Sequence, residues 1–145
     1  MNLDIEKMSV SDLDTISSEL HSNFDDFWTA SLLETEIKNE NTLCLVAKLN
    51  NSIVGFACIW FSIDDVHITN IVTHIQYRNQ GIASKLLEAI ISRVQDKPLT
   101  LEVRSSNIVA IHLYEKYGFE KIGIRKNYYT HNNLVEDAVI MTRKI

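Results

Sequence analysis

One proline and four glycines in 145 residues leave little room for a linker or a low-complexity segment, so the chain is expected to fold throughout as a single domain, residues 1–145. Two cysteines are too few for a disulfide framework. Cys44 and Cys58 each sit in an apolar, strand-like run and read as buried free thiols, which suits a reducing, cytoplasmic compartment. None of the five histidines falls in a HxxH, HxxxH or cysteine-paired pattern, and no serine, histidine and aspartate order suggests a hydrolase, so no metal is expected. Basic residues are also short: 14 Lys and Arg against 19 Asp and Glu give a net charge of −5, which argues against a nucleic-acid partner. No apolar run approaches a signal or membrane-spanning length, so no membrane partner is expected. What remains, 46% hydrophobic and 23% charged residues, is ordinary for a globular protein and enough for a substantial core.

The patterning alternates between strand and helix. Leu3 to Lys7 alternates as a strand, and Ser9 with Asp12 offers an N-cap before the stripe Leu13, Ile16, Leu20. An aromatic-rich loop, His21 to Trp28, precedes a helix from about Thr29 to Lys38. Its Phe27 and Trp28 either pack over the core or form one wall of an acceptor pocket. Thr42 to Lys48 and Ser52 to Ile63 are rich in β-formers, with Asn50-Asn51 suited to a tight turn between them, and Asp64-Asp65 marks the next turn. A strand from His67 to Thr73, a helix from Ile82 to about Gln95 and a strand from Leu99 to Arg104 form a right-handed crossover with parallel strands. Asn107 caps a helix from Ile108 to Tyr117, which Gly118 ends in a left-handed conformation with Phe119 folding back. Two final strands, Glu120 to Tyr129 and Glu136 to Arg143, flank a polar turn at residues 131–133.

The strand, loop and helix from His67 to Leu87 carry the first chemical signal. The first turn of a helix presents backbone N–H groups without intrahelical partners, Gly81 lacks a Cβ, and Arg78 adds positive charge, a combination that suits a phosphate. An ordinary connection whose glycine only eases the turn explains these residues equally well. In Leu99 to Arg104 the apolar side chains share one face, leaving Thr100, Glu102 and Arg104 on the other. Glu102 reads as a general base facing a wet cleft, as one half of an ion pair with Arg104 or a lysine, or as a residue on the solvated face of a one-sided sheet. Tyr114 reads as core or as a proton donor, and Asn107 as a cap or a ligand contact.

The run Arg78-Asn-Gln-Gly-Ile-Ala83, followed by Asn107, Tyr114 and Gly118-Phe119, resembles the acetyl-CoA loop and later helix of the GNAT N-acetyltransferases. Within them, Leu101 to Asn107, Leu113 to Phe119, Arg125-Lys-Asn-Tyr-Tyr129 and Glu136 to Met141 resemble the bacterial ribosomal-protein-alanine N-acetyltransferases. The likeness runs from about residue 43 onward. It implies an α/β (α+β) GNAT fold: a mixed, mostly antiparallel sheet with one parallel strand pair splayed around acetyl-CoA, and about four flanking helices.

It also implies direct acetyl transfer from acetyl-CoA to the N-terminal alanine of a small-subunit ribosomal protein. Glu102 matches the general base and Tyr114 the general acid. Ile71, Val72, Thr73, Arg78, Asn79, Gln80, Gly81, Ile82, Ala83 and Asn107 match cofactor contacts, and Tyr128 and Tyr129 join Phe27 and Trp28 at the acceptor. Ile75 stands where a proline is common. The alternatives are transfer to a lysine side chain or small amine, and a non-catalytic acyl-CoA-binding module. The chemistry agrees with an α-amine, since an ordinary pKa of about 7.7–8.0 needs far less help to lose a proton than lysine at about 10.4.

Overall fold

A computed structural model describes residues 2–19, 23–24, 30–131 and 133–145. Phe27 and Trp28, and the start of the second helix at Thr29, lie outside the described residues. The elements in chain order are β1 (Leu3–Lys7), α1 (Val10–Glu19), α2 (Ala30–Lys38), β2 (Thr42–Leu49), β3 (Ser52–Phe61), β4 (Val66–Thr73), a 3-10 turn (Ile75–Tyr77), α3 (Ile82–Arg93), β5 (Leu99–Arg104), α4 (Ile108–Lys116), β6 (Glu120–His131) and β7 (Leu134–Arg143). The strands hydrogen-bond in the order β1-β2-β3-β4-β5-β7-β6. β4 and β5 pair in parallel, as the crossover between them requires, whereas β1 with β2, β2 with β3, β5 with β7 and β6 with β7 are antiparallel. Among the described residues, the seven-stranded mixed sheet with four helices is the architecture expected from the sequence.

The described chain forms two compact units, Met1–Phe61 with Thr69–Arg93, and Ser62–Ile68 with Val94–Ile145. In the first, the β2–β3 hairpin turns at Asn50 (φ 51°) and Asn51 (φ 70°), two asparagines in the left-handed region that a tight hairpin of this type demands. α1 starts with a reciprocal cap: the Ser9 N–H donates to Asp12 Oδ2 at 2.9 Å and the Asp12 N–H to Ser9 Oγ at 3.1 Å. Leu13 and Ile16 of α1 and Leu33 of α2 pack with Cys44, Val46, Phe56, Cys58 and Val72 of the strands. Cys44 and Cys58 face each other across β2 and β3 with their sulfurs 2.7 Å apart, both free and buried, as expected. On another part of this unit, a Cβ at Gly55 would lie 2.9 Å from Ile82 Cγ2 and 3.0 Å from the Val72 carbonyl oxygen. Glycine there lets α3 sit close to the sheet, which fixes where that helix begins.

In the second unit, Val66, Ile68, Leu99, Leu101, Val103, Ala138, Val139 and Met141 are buried strand residues, joined by Ile111, Tyr114 and Phe119. The turn before β4 is tied by Ser62 Oγ donating to Asp65 Oδ1 at 2.6 Å and Thr100 Oγ1 to Asp65 Oδ2 at 3.1 Å. α4 ends as expected: Gly118 has φ 93°, and the Phe119 N–H donates to the Tyr114 carbonyl at 3.0 Å. Several boundaries differ from those expected. β3 stops at Phe61, α3 at Arg93, and β7 begins at Leu134 rather than Glu136, because β6 continues to His131 and pairs it with Leu134. β6 is also not a regular strand. Its register jumps from Arg125↔Ala138 to Tyr129↔Glu136, so three residues on β6 stand opposite one on β7.

Candidate active site

The loop after β4 is shaped by its own backbone. His74 Nδ1 accepts from the Gln76 N–H at 3.1 Å, and the Tyr77 N–H donates to the His74 carbonyl at 2.8 Å. Ile75 is the first residue of this 3-10 turn, Ile75–Tyr77. Arg78, Asn79, Gln80 and Gly81 follow, all exposed, with Asn79 at φ 63° and Gly81 at φ 81°. These two left-handed residues turn the chain into α3, whose first hydrogen bond runs from the Lys85 N–H to the Gly81 carbonyl at 3.1 Å.

The N–H groups at the start of α3 therefore have no intrahelical acceptor. A Cβ at Gly81 would meet nothing within 4 Å, so among the described residues the backbone stands open to an incoming anion. The Ile82 side chain is core and Ala83 is half-buried, so Ile82 offers only its backbone. On β4, Val72 is likewise core, while Ile71 and Thr73 are half-buried on the other face.

The second unit gathers Glu102, Tyr128, Tyr129 and Tyr114. Glu102 shares a face of β5 with Thr100 and Arg104, and its side chain is only 10% exposed. It is in an ion pair, as one reading of the sequence required, but the partner is Arg125 of β6, whose Nε lies 3.5 Å from Glu102 Oε1. Arg104 instead lies over the Tyr129 ring, 5.3 Å from its centroid, and Arg125 lies at the same distance over Tyr128. The two tyrosines meet edge to face with centroids 5.0 Å apart. Burial, then the Glu102 carboxylate, raises the Tyr128 phenol above its ordinary value. The same two causes push Tyr129 up to about 12.

Tyr114 is buried against Phe119, with ring centroids 5.7 Å apart. Burial, with Tyr129 adding to it, pushes its phenol up to about 12, so it holds its proton throughout the physiological range. Tyr114 is thus a core residue whose phenol stays protonated. Asn107 is the cap of α4, its side-chain oxygen accepting from the Ala110 N–H at 3.2 Å, and it is exposed.

Two residues of the Glu136-Asp137-Ala138 run position this cluster in ways that the sequence did not reveal. Glu136 Oε2 accepts from the Ser106 N–H at 2.6 Å and from Ser105 Oγ at 3.3 Å, which ties β7 to the turn that starts α4. Asp137 Oδ1 accepts from the Asn127 N–H at 2.9 Å, and Asn127 stands at φ 55° inside the β6 irregularity. That bond holds the bulge that carries Tyr128. The only signal available was an asparagine between charged and aromatic residues, which is too common to single out. Among the described residues no cluster of three or more histidine, cysteine or carboxylate side chains could hold a metal, and no helix is long and apolar enough to cross a membrane.

Residues 12–132 match the family described as an acetyltransferase (GNAT) domain. A Bacillus subtilis protein named provisionally as a ribosomal protein bS18-alanine N-acetyltransferase is 36% identical over 141 residues, 94% of this chain and 92% of that one. The Escherichia coli ribosomal protein bS18-alanine N-acetyltransferase is 38% identical over 99 residues, 66% of this chain and 67% of its own. The crystal structure of the ribosomal-protein-S18-alanine N-acetyltransferase from Escherichia coli superposes with a TM-score of 0.89 at 31% identity, covering 99% of this chain and 94% of that one.

Proposed function

Since the chain belongs to the GNAT acetyltransferase family, and is thus an acetyl-CoA-dependent N-acetyltransferase, we propose that its acceptor is the N-terminal alanine of a small-subunit ribosomal protein, modified in the cytoplasm. The observation that carries this reading is the nearly buried Glu102 carboxylate among Tyr128, Tyr129 and Arg125. A carboxylate so placed suits an α-ammonium, which is already close to losing its proton at neutral pH. The names of the relatives support the ribosomal acceptor.

In this reading the open backbone from Arg78 to Ala83 holds the pyrophosphate of acetyl-CoA, with Arg78 adding charge, and Asn107 offers an amide beside the start of α4. Ile71 to Thr73 would contact acetyl-CoA, and a backbone N–H at this end of β4 would polarise the thioester carbonyl. Glu102 takes a proton from the acceptor amine, directly or through water, as nitrogen bonds to the acetyl carbon. The carbon–sulfur bond breaks, and Tyr114 donates to the departing sulfur, which leaves as the thiol of coenzyme A. Comparing ribosomal-protein N-termini by mass spectrometry in cells with and without this protein tests the acceptor. Acetylation of one small-subunit protein is lost with the gene if the reading is right, and an unchanged pattern removes the ribosomal assignment.

A further inference from the structure

Arg125 carries no assigned role, yet its place in the sheet is tightly specified. It pairs with Ala138 on β7, and Ala138 pairs on its other side with Arg104 on β5. Residues paired across antiparallel strands point to the same face, and Glu102, two residues before Arg104, points there as well. The row therefore reads guanidinium, methyl, guanidinium. The small, fully buried Ala138 leaves room above it for the Arg125 side chain to reach Glu102. Arg125 is also the last regularly paired residue before the bulge that Asp137 holds, so its position is coupled to that of Tyr128.

The two partners of this ion pair differ in exposure: Glu102 is 10% exposed and Arg125 56%. A nearly buried carboxylate needs a compensating charge, whereas a half-exposed guanidinium gives up its partner at little cost and here has the Tyr128 ring as a second seat. We propose that Arg125 is a positioning residue that holds Glu102 as an exchangeable counter-ion until the acceptor's α-ammonium displaces it from the carboxylate. This rests on the proposed acetylation of a protein N-terminus. The guanidinium then does two things. It competes with the ammonium for Glu102, and while it stays close it disfavours the protonated amine and so helps the proton leave.

Replacing Arg125 with glutamine should separate these effects in a way that misfolding cannot imitate. Removing the competitor lowers the acceptor KM by about 2- to 5-fold, the factor that a half-exposed ion pair is worth. Losing the fixed carboxylate and the nearby charge lowers kcat by roughly tenfold, short of the ~10²-fold or more lost with a general base itself. Arg125→Lys, which keeps the charge, restores kcat and raises KM again. The experiment is steady-state kinetics of the wild type, Arg125→Gln and Arg125→Lys on one alanine-initiated peptide at saturating acetyl-CoA, with thermal melts confirming the fold. An active wild type with any other pattern, such as KM unchanged or raised in Arg125→Gln or no rescue by lysine, overturns the role of Arg125. A wild type inactive on this peptide, and on a panel of peptides with other free N-termini assayed beside it, overturns the functional reading and this inference with it.

Discussion

The Ser106 backbone N–H donates to Glu136 Oε2 at 2.6 Å, a bond from the turn before α4 to a strand 30 residues further along the chain. The Ser106 bond is the main cause that holds the Glu136 carboxyl below its ordinary value, against the opposing effect of desolvation. A carboxyl with a depressed folded-state pKa contributes stability that is present above its unfolded value and lost as pH falls through the folded one. Glu136→Ala should therefore cost about 1 kcal/mol at neutral pH, the size of a charged but partly solvated hydrogen bond. The difference from wild type should vanish in denaturant melts below the carboxylate range. A penalty that persists undiminished at low pH contradicts this account of the bond.

Gly81 stands at φ 81°, with open space where a Cβ would lie. At φ 81° an alanine is strained by about 1 kcal/mol, which lowers Tm by roughly 2–4 °C in a chain of this size. Its methyl would also stand where the backbone is now open. Calorimetric titration of Gly81→Ala should show acetyl-CoA binding weakened by about tenfold or more, out of proportion to that small loss of stability. Unaltered affinity would remove the loop from the cofactor site.

Glu102→Gln and Tyr114→Phe should each lower kcat while leaving acetyl-CoA binding intact, by ~10²-fold or more for the base and at least about tenfold for the phenol. Because burial pushes the Tyr114 phenol up to about 12, it stays protonated well above neutrality, and kcat should not fall on its account between pH 8 and 10. A decline centred near pH 10 that disappears in Tyr114→Phe would contradict that environment. Full activity in both variants sinks the role assignments.

Much of this was legible in the sequence because it is local. The caps at Ser9 and Asn107, the paired left-handed asparagines at 50 and 51, and the stop at Gly118 depend on residues within five positions of one another. The face of β5 that carries Glu102 followed from strict alternation. The partner of Glu102 did not, since Arg104 is two residues away and Arg125 twenty-three, and only the β5-β7-β6 order brings the latter across. The β6 bulge was hidden for the same reason. Its cause is a bond from Asn127 to Asp137 on another strand, and no period in β6 itself announces it.

The central claim is that this acetyltransferase modifies an α-amine rather than a side chain. The direct test incubates the purified protein and acetyl-CoA with a peptide that carries both a free N-terminal alanine and an internal lysine, alongside the same peptide with a blocked N-terminus, and locates the acetyl group by tandem mass spectrometry. The account predicts acetyl on the alanine nitrogen of the free peptide and none on the blocked one. Acetyl on the lysine of both would contradict it.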